Sequence, residues 1–450
     1  MRYQAYPTYK DSSVVWLGEL PTHWGVSSIK FLVSTPVTDG PHETPEIFNE
    51  GIPFVSAEAI SNGKINFDKI RGYISEEEHK RFSKKYKPQR GDIYMVKSGA
   101  TTGRIARVET DVEFNIWSPL AAIRCNPELA NRYFVYHYLH SKEFQTAVQL
   151  SWSFGTQQNI GMGVIQNLAV PMPTLPEQTA IADFLDRETG RIDTLLAKKR
   201  TLLGLLKEKR SALISRTVTR GLPAAVAREF GLEPHTRFKD SGIEWLGEVP
   251  EGWEVKNVKH ITRILRGKFS HRPRNDSRMY DGVYPFIQTG DIAAAKKYVC
   301  EYHQTLSEDG FGVSKQFPRG TLVMTIAANI GDIAILDFEA CFPDSIVGFV
   351  PKSEVNLDFL YLLFTGMKPA LLSTAILNTQ LNLNIDRIGS LKAGLPPLPE
   401  QTAIAAYLDR ETGKIDNLGT KVESAIERLQ EYRTALITAA VTGKIDVREV

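Results

Sequence analysis

The chain contains itself twice. LPEQTAIADFLDRETGRID, from Leu175 to Asp193, recurs as LPEQTAIAAYLDRETGKID from Leu398 to Asp416, identical at sixteen of nineteen positions. Upstream, DSSVVWLGELPTHW (Asp11 to Trp24) returns as DSGIEWLGEVPEGW (Asp240 to Trp253). The offsets are 223 residues for the closing motif and 229 for the opening one, so one unit is used in tandem, with about six residues lost from the second copy. The 450 residues are ample for two domains, and 42% hydrophobic with 24% charged residues is an ordinary globular balance.

Between the matched ends the copies diverge. GIPFVSAEAI (Gly51 to Ile60) has a loose echo in VYPFIQTGDI (Val283 to Ile292), RGDIYMVKSGATTGRIA (Arg90 to Ala106) in RGTLVMTIAANIGDIA (Arg319 to Ala334), and FGTQQNI (Phe154 to Ile160) in LNTQLNL (Leu377 to Leu383). A shared scaffold with different detail implies two ligands of one class.

The closing motifs open long helices. Pro176 and Pro399 suit a first turn, and Glu177 and Glu400 sit at the positive end of the helix dipole. Apolar residues then keep heptad spacing, predicting a seam of Ile192, Leu195, Leu202, Leu206 and Leu213 against Ile415, Leu418, Val422, Leu429 and Leu436, with Ala425 and Tyr432 in the second stripe and Lys199 and Lys209 in the first. Two equivalent stripes in one chain can bury each other as an antiparallel intramolecular coiled coil. Each covers roughly 32 Å at 1.5 Å per residue, close to the roughly 34 to 36 Å of one DNA turn. The bodies mix β-rich runs with helical stretches such as ELANRYFVYHYLHSKEFQTAVQ, an α+β pattern in which Tyr133, Phe134, Tyr136 and Tyr138 serve as core and helix-face residues. The expected segments are 1–173 and 222–396 for the two domains, 174–221 and 397–450 for the two helices.

Catalytic signatures are sparse. The sequence has no GxxxxGK[ST] loop, no HExxH, no CxxC and no Asn/Asp-Pro-Pro-aromatic tetrapeptide. Asp68 with Glu78 and Lys80 resembles a metal-dependent nuclease constellation, but the second copy has no counterpart. His137 and His140 could share a helix face without a third ligand to complete a metal site. Cys125, Cys300 and Cys341 are too scattered for a disulfide framework, and no apolar run approaches membrane-spanning length, so a cytoplasmic protein is expected.

Positive charge is instead concentrated. Lys80 to Arg107 holds nine Lys or Arg against one acid and Lys256 to Tyr280 holds eight against one, in a chain of net charge +2. One cationic cluster per repeat is what phosphate neutralisation requires of two DNA-binding domains. In the first, Lys97, Ser98, Thr101, Thr102 and Arg104 form a glycine-punctuated loop suited to phosphate. The second domain's candidates are Arg266, Lys268, Arg272, Arg274 and Asn329. Thr156, Gln157 and Asn159, with Thr379, Gln380 and Asn382, offer amides able to pair with base edges, or form a structural turn common to both copies.

Two divergent domains, each opened by WLGE-(Leu/Val)-P-x-x-W and closed by an LPEQ helix, resemble the specificity subunit of a type I restriction-modification enzyme over essentially the whole chain. The resemblance implies two target recognition domains reading the halves of an asymmetric bipartite site in double-stranded DNA, held apart by antiparallel helices. It also implies docking of two modification subunits that methylate adenine with S-adenosylmethionine. Restriction subunits would add ATP- and magnesium-dependent translocation and cleavage, with no catalytic residue, metal or cofactor in this chain. RGTLVMTIAANIGD lacks the aspartate and the cation of RGDIYMVKSGATTG, so a contact role carries less readily to the second domain. A coiled-coil assembly scaffold is the competing non-enzymatic reading, and the Asp68, Glu78 and Lys80 nuclease the enzymatic one.

Overall fold

A computed structural model describes residues 3–152, 158–327, 330–373 and 385–448. It explains at once why the ends of each repeat match while the middle does not. In the first copy Tyr9–Asp11 pairs antiparallel with Glu19–Pro21, Tyr9 opposite Pro21; in the second Phe238–Asp240 pairs with Glu248–Pro250, Phe238 opposite Pro250. The glycine of WLGE, Gly18 or Gly247, takes a left-handed φ of 63° or 59° in the connecting turn, a conformation costly for a residue with a Cβ. Trp24 and Trp253 are buried behind these hairpins. The residues that follow each hairpin then bond to those preceding the closing helix: Gly25–Ser28 with Ala169–Met172, and Glu254–Asn257 with Lys392–Leu395. Opening and closing motifs thus form one frame, and the body is an insertion between its two fixed ends.

Each body is built on a mixed sheet. In the first copy β1 (Thr38–Asp39), β2 (Ile52–Val55), β3 (Ile93–Val96), β4 (Ile105–Arg107), β5 (Asn115–Ile116) and β6 (Leu120–Ile123) include the sheet order β1-β6-β3-β4, extended by Lys64–Ile65 and Ile60–Ser61. In the second, β7 (Thr262–Arg266), β8 (Tyr280–Pro285), β9 (Leu322–Thr325), β10 (Ile333–Leu336), β11 (Ala340–Cys341) and β12 (Ile346–Pro351) give β7-β12-β9-β10, extended by Tyr298–Val299. Side chains alternate across the sheet. Ile93, Met95, Ile105 and Ala121 join one core, while Tyr94, Val96, Ala106 and Leu120 join another. Leu322 and Met324 are likewise divided from Val323. Both faces are covered, which is why these strands read as continuous apolar runs.

Four helices pack on these bodies or link them: α1 (Arg132–Leu139), α2 (Leu175–Arg220), α3 (Leu357–Gly366) and α4 (Leu398–Val441). On α1 Phe134, Tyr136 and Tyr138 are buried and Tyr133 is exposed, the core and helix-face placement expected of them. The chain's contacts gather into two compact units, Met1–Arg200 with Ser424–Val450, and Thr201–Glu423, so α2 and α4 each contribute to both. Within the first unit Asp193 meets Arg433 at 2.8 Å and Glu177 meets Arg448 at 3.9 Å, which fixes an antiparallel run. Within the second, Arg210 meets Asp416 at 2.9 Å, and Gly221 lies against Glu400. Asp193 and Asp416, like Arg210 and Arg433, are repeat equivalents, so one ion pair is used twice.

The seam differs in phase from the expected one. Ile192, Leu206, Val422 and Leu436 are buried and Leu213, Ile415 and Leu429 half-buried, as anticipated. Leu195, Leu202 and Leu418 are instead 42%, 40% and 45% exposed. The alternate seam positions fall four residues after Ile192, not three: Leu196, Leu203 and Arg210 on α2, Gly419, Ile426 and Arg433 on α4. Residues seven apart satisfy either phase. On α2 leucine pairs at 195–196 and 202–203 hide the choice, while on α4 a glycine and an arginine occupy true seam positions. Lys199 is half-buried on the seam and Lys209 is exposed.

The nearly invariant LPEQT is explained by what its side chains hold. Gln178 accepts the Asn131 N–H at 2.8 Å and donates to the Pro173 carbonyl; Gln401 accepts the Asn356 N–H at 2.8 Å and donates to the carbonyls of Glu354 and Pro396. Thr179 and Thr402 receive the Nδ2 of the same asparagines, which cap α1 and α3. Glu177 accepts the Tyr6 hydroxyl at 2.7 Å and lies 3.1 Å from His23 Nε2, whereas Glu400 lies 2.6 Å from His235 Nε2 and accepts Trp253 Nε1 at 3.0 Å. Burial and the Glu177 carboxylate push the Tyr6 hydroxyl above its ordinary range, so it remains a donor. The helix dipole accounts for only part of this; each closing helix is tied into its own body by buried hydrogen bonds.

Candidate nucleic-acid interface

The sheets place the candidate residues. Asp39 lies opposite Ala121, which lies opposite Met95; Arg266 lies opposite Val347, which lies opposite Met324. First and third strands therefore run the same way, and their following loops leave one edge of each sheet. In the first unit these are the loops after Asp39 and after Val96, in the second those after Arg266 and after Thr325. The two cationic stretches fall at different points of the repeat in sequence, yet both supply this edge.

In the first unit Gly103 N–H returns to the Val96 carbonyl and closes the loop Lys97 to Arg104, with Gly99 and Gly103 at φ 95° and 91°. The structure joins this loop to the distant amide stretch: Ser98 bridges Asn159, Gly99 N–H donates to the Gln158 carbonyl at 3.0 Å, and Ile160 N–H to that of Lys97 at 2.9 Å. Thr102 Oγ1 donates to the Gly99 carbonyl at 2.7 Å, while Ser98 and Thr101 are half-buried. Arg104 is exposed and donates to the Ile60 carbonyl, and no carboxylate among the described residues pairs with it. Thr156 and Gln157 lie outside the described residues, as do Asn329, Thr379, Gln380 and Asn382 of the second copy.

Lys97 is placed differently from the other cations. Its side chain is 12% exposed and pairs at 3.3 Å with buried Asp39, which also binds Lys85 at 2.6 Å. Burial alone would raise the Asp39 carboxyl, but the two ammonium groups overcome it and hold it below its usual value. Lys97 thus neutralises an internal acid. The register makes Arg266 the counterpart of Asp39, and Ile326 that of Lys97, so the same edge carries an internal ion pair in one domain and an exposed guanidinium in the other.

Arg266, Lys268, Arg272 and Arg274 are all exposed along the loop after β7. Arg272 and Arg274 approach Asp344, and Arg266 donates to the Asp344 carbonyl. Many remaining cations are likewise laced to acids, such as Arg90 to Asp111 and Lys87 to Glu113. Exposed pairs of this kind are worth about 0 to 1 kcal/mol and exchange readily for phosphate.

Gly40 and Gly267 open the two loops where the backbone passes very close to a neighbour. A Cβ would stand 1.9 Å from the Ile116 carbonyl oxygen or 2.1 Å from that of Pro343. Gly267→Ala is therefore expected to displace the loop and destabilise the second unit by about 1 to 3 kcal/mol, read as a lower urea midpoint; an unchanged midpoint would show that the approach is not tight.

Of the nuclease candidates, Lys80 pairs with Glu76 and Glu78 with Arg81. Among the described residues no group of three His, Cys, Asp or Glu could hold a metal, and no helix is long and apolar enough to cross a membrane. His137 bonds Asp186 at 2.8 Å and His140 the Tyr136 carbonyl at 2.9 Å; burial lowers both, His140 to about 4. Asp186 also takes Arg107 at 3.2 Å, and its repeat equivalent Asp409 takes Lys297 at 2.7 Å. These body-to-helix pairs escape sequence reading, although the repeated aspartate of FLDRE and YLDRE marks the helix side.

Two loop-bearing domains on one duplicated frame, alike in scaffold and different at the loop edge, define a double recognition protein. The chain belongs to the type I restriction modification DNA specificity family, whose model matches residues 35–203 and 250–428 and makes the two bodies tandem recognition domains. It is 25% identical over 443 residues to the chain assigned as the type I restriction enzyme MjaX specificity subunit of Methanocaldococcus jannaschii, covering 96% of each. It is also 22% identical to the EcoKI specificity subunit of Escherichia coli K12, covering 95% of this chain and 90% of that one. Among solved structures, a chain from a study of assembly and conformational transition of the type I R-M system superposes with a TM-score of 0.66 at 18% identity, over 95% and 99% of the two chains. The HsdS subunit of Thermoanaerobacter tengcongensis gives 0.50 at 17% identity, over 95% and 98%.

Proposed function

We propose that each recognition domain reads one half of an asymmetric bipartite site in double-stranded DNA and that the paired helices set the unread spacer. The observation that carries this is the common loop edge, built on one sheet register in both domains but inverted in charge at the equivalent positions Asp39 and Arg266. Phosphate contacts hold register while base contacts specify, so a shared scaffold with unlike loops is the arrangement two different half-sites require.

In the same reading the helices dock two modification subunits, which bring S-adenosylmethionine for adenine methylation, and restriction subunits bring ATP and magnesium. This chain then contributes recognition and no catalysis. Support comes from the faces of α2 and α4 that the seam leaves open: the repeat equivalents Leu195 and Leu418 are both exposed, with Leu202 and Leu205. Unpaired apolar side chains on long charged helices fit a protein partner.

Selection from a pool of random duplexes by the full chain tests the proposal. The expected product holds two specified blocks around a constant unspecified run, with log affinity falling linearly in log salt. Enrichment of nothing, or salt-independent binding, would favour the assembly scaffold.

A further inference from the structure

The two domains carry equivalent clefts with unlike linings. In the second, the loop after β7 and the segment around Gln304 border an open cleft of about 430 Å³. Its wall is aromatic: Phe269 stacks on Tyr280, centroids 5.8 Å apart, and packs on Phe286 at 5.2 Å. Gln288 Nε2 donates to Gln304 Oε1 at 2.9 Å, which turns the Gln304 carbonyl toward Gln288 and leaves its amino group as a donor in the lining. Arg274 lines the rim in an exposed ion pair with Asp344, and Arg266 and Lys268 stand exposed on the same loop without a carboxylate among the described residues. Among the described residues no acidic side chain lines this cleft. The first domain's cleft, about 230 Å³, sits behind the equivalent Gly40 and holds Asp39, Glu43, Arg81 and Lys85, whose charges are matched internally: Asp39 by Lys85 and Lys97, Glu43 by Arg81 at 2.8 Å.

We propose that the second domain's cleft reads an acceptor-bearing base edge, guanine O6 and N7 foremost, through Gln304 with Gln288 behind it, while Arg266, Lys268 and Arg274 hold flanking phosphates. This rests on the DNA-recognition reading above and adds which residues specify and what they specify. Beside Asn275 and Tyr280, the lining presents the Arg274 guanidinium and the Gln304 amino group as donors, and guanine offers two acceptors in the major groove where cytosine offers a donor. Cations on the rim and neutral amides within are the division expected between positioning and specifying contacts. In the first domain the charges lining the equivalent cleft are matched by its own ion pairs, so its half-site is read elsewhere on the edge, with the loop Lys97 to Arg104 the nearest built element.

Duplex selection with the full wild-type chain, Gln304→Ala and Gln304→Glu, each checked by thermal melting for retained folding, tests this. Gln304→Ala is expected to flatten one guanine position in one block by about tenfold and to leave the other block intact. Gln304→Glu turns the donor into an acceptor and is expected to move that position toward cytosine. Blocks unchanged in both folded variants would overturn the cleft assignment while leaving bipartite recognition standing. A wild-type chain that enriches no block would overturn the recognition reading and this inference with it.

Discussion

Gln401→Leu is expected to destabilise the second unit by about 2 to 5 kcal/mol, about 1 to 3 from the buried Pro396 carbonyl left unpaired and about 1 to 2 together from the partly buried Asn356 N–H and Glu354 carbonyl. The substitution keeps side-chain volume, so cavity formation contributes little. What is lost is the partner of the Asn356 N–H and of the Glu354 and Pro396 carbonyls, around an amide with no exposed surface. Gln178→Leu should do the same in the first unit on a smaller scale, since Gln178 holds one N–H and one carbonyl. Urea unfolding followed by tryptophan fluorescence reads both, and shifts below about 1 kcal/mol in both variants would show that the LPEQT contacts are dispensable. The same result would remove the physical explanation for the near identity of the closing motifs.

The sequence makes some layers of this molecule plain and hides others for identifiable reasons. The duplicated ends declare the tandem repeat, and Leu175–Arg220 and Leu398–Val441 are the long helices their heptads announce. Their antiparallel pairing is legible from the two equivalent stripes together with the requirement that one chain place a body at each end of the coil. The seam phase is not, because residues seven apart fit either choice and leucine occupies both candidate positions at 195–196 and 202–203. The loop Lys97 to Arg104 and the stretch ending at Asn159 are each visible as polar, glycine- or amide-rich segments. Their union is not visible, since it is made by backbone bonds between Gly99 and Gln158 and between Ile160 and Lys97. Lys97 reads as a surface cation because its partner Asp39 is distant in sequence, on a strand that no motif marks. The amide pair Gln288 and Gln304 is missed for the same reason: the PFIQ echo of PFVS shows the scaffold, while the chemistry lies in the residue that changed.

Shortening both long helices by one heptad is expected to change the DNA spacer and leave both half-sites alone. Removing 199–205 from α2 and 421–427 from α4 takes about 10.5 Å from each helix at 1.5 Å per residue. It turns the flanking faces by only about 20°, so the seam phase and the pairs Asp193 with Arg433 and Arg210 with Asp416 can re-form. At about 3.4 Å per base pair, the translation alone corresponds to about three base pairs. The bodies and their loop edges lie outside the deletion, so neither recognition domain loses a contact. Duplex selection by the doubly shortened chain, set beside the wild type, is thus the most direct measurement of whether two reading domains are held apart by a helical spacer. A helical spacer predicts the same two blocks around a run shorter by about three base pairs, and two unchanged blocks around an unchanged run would contradict it.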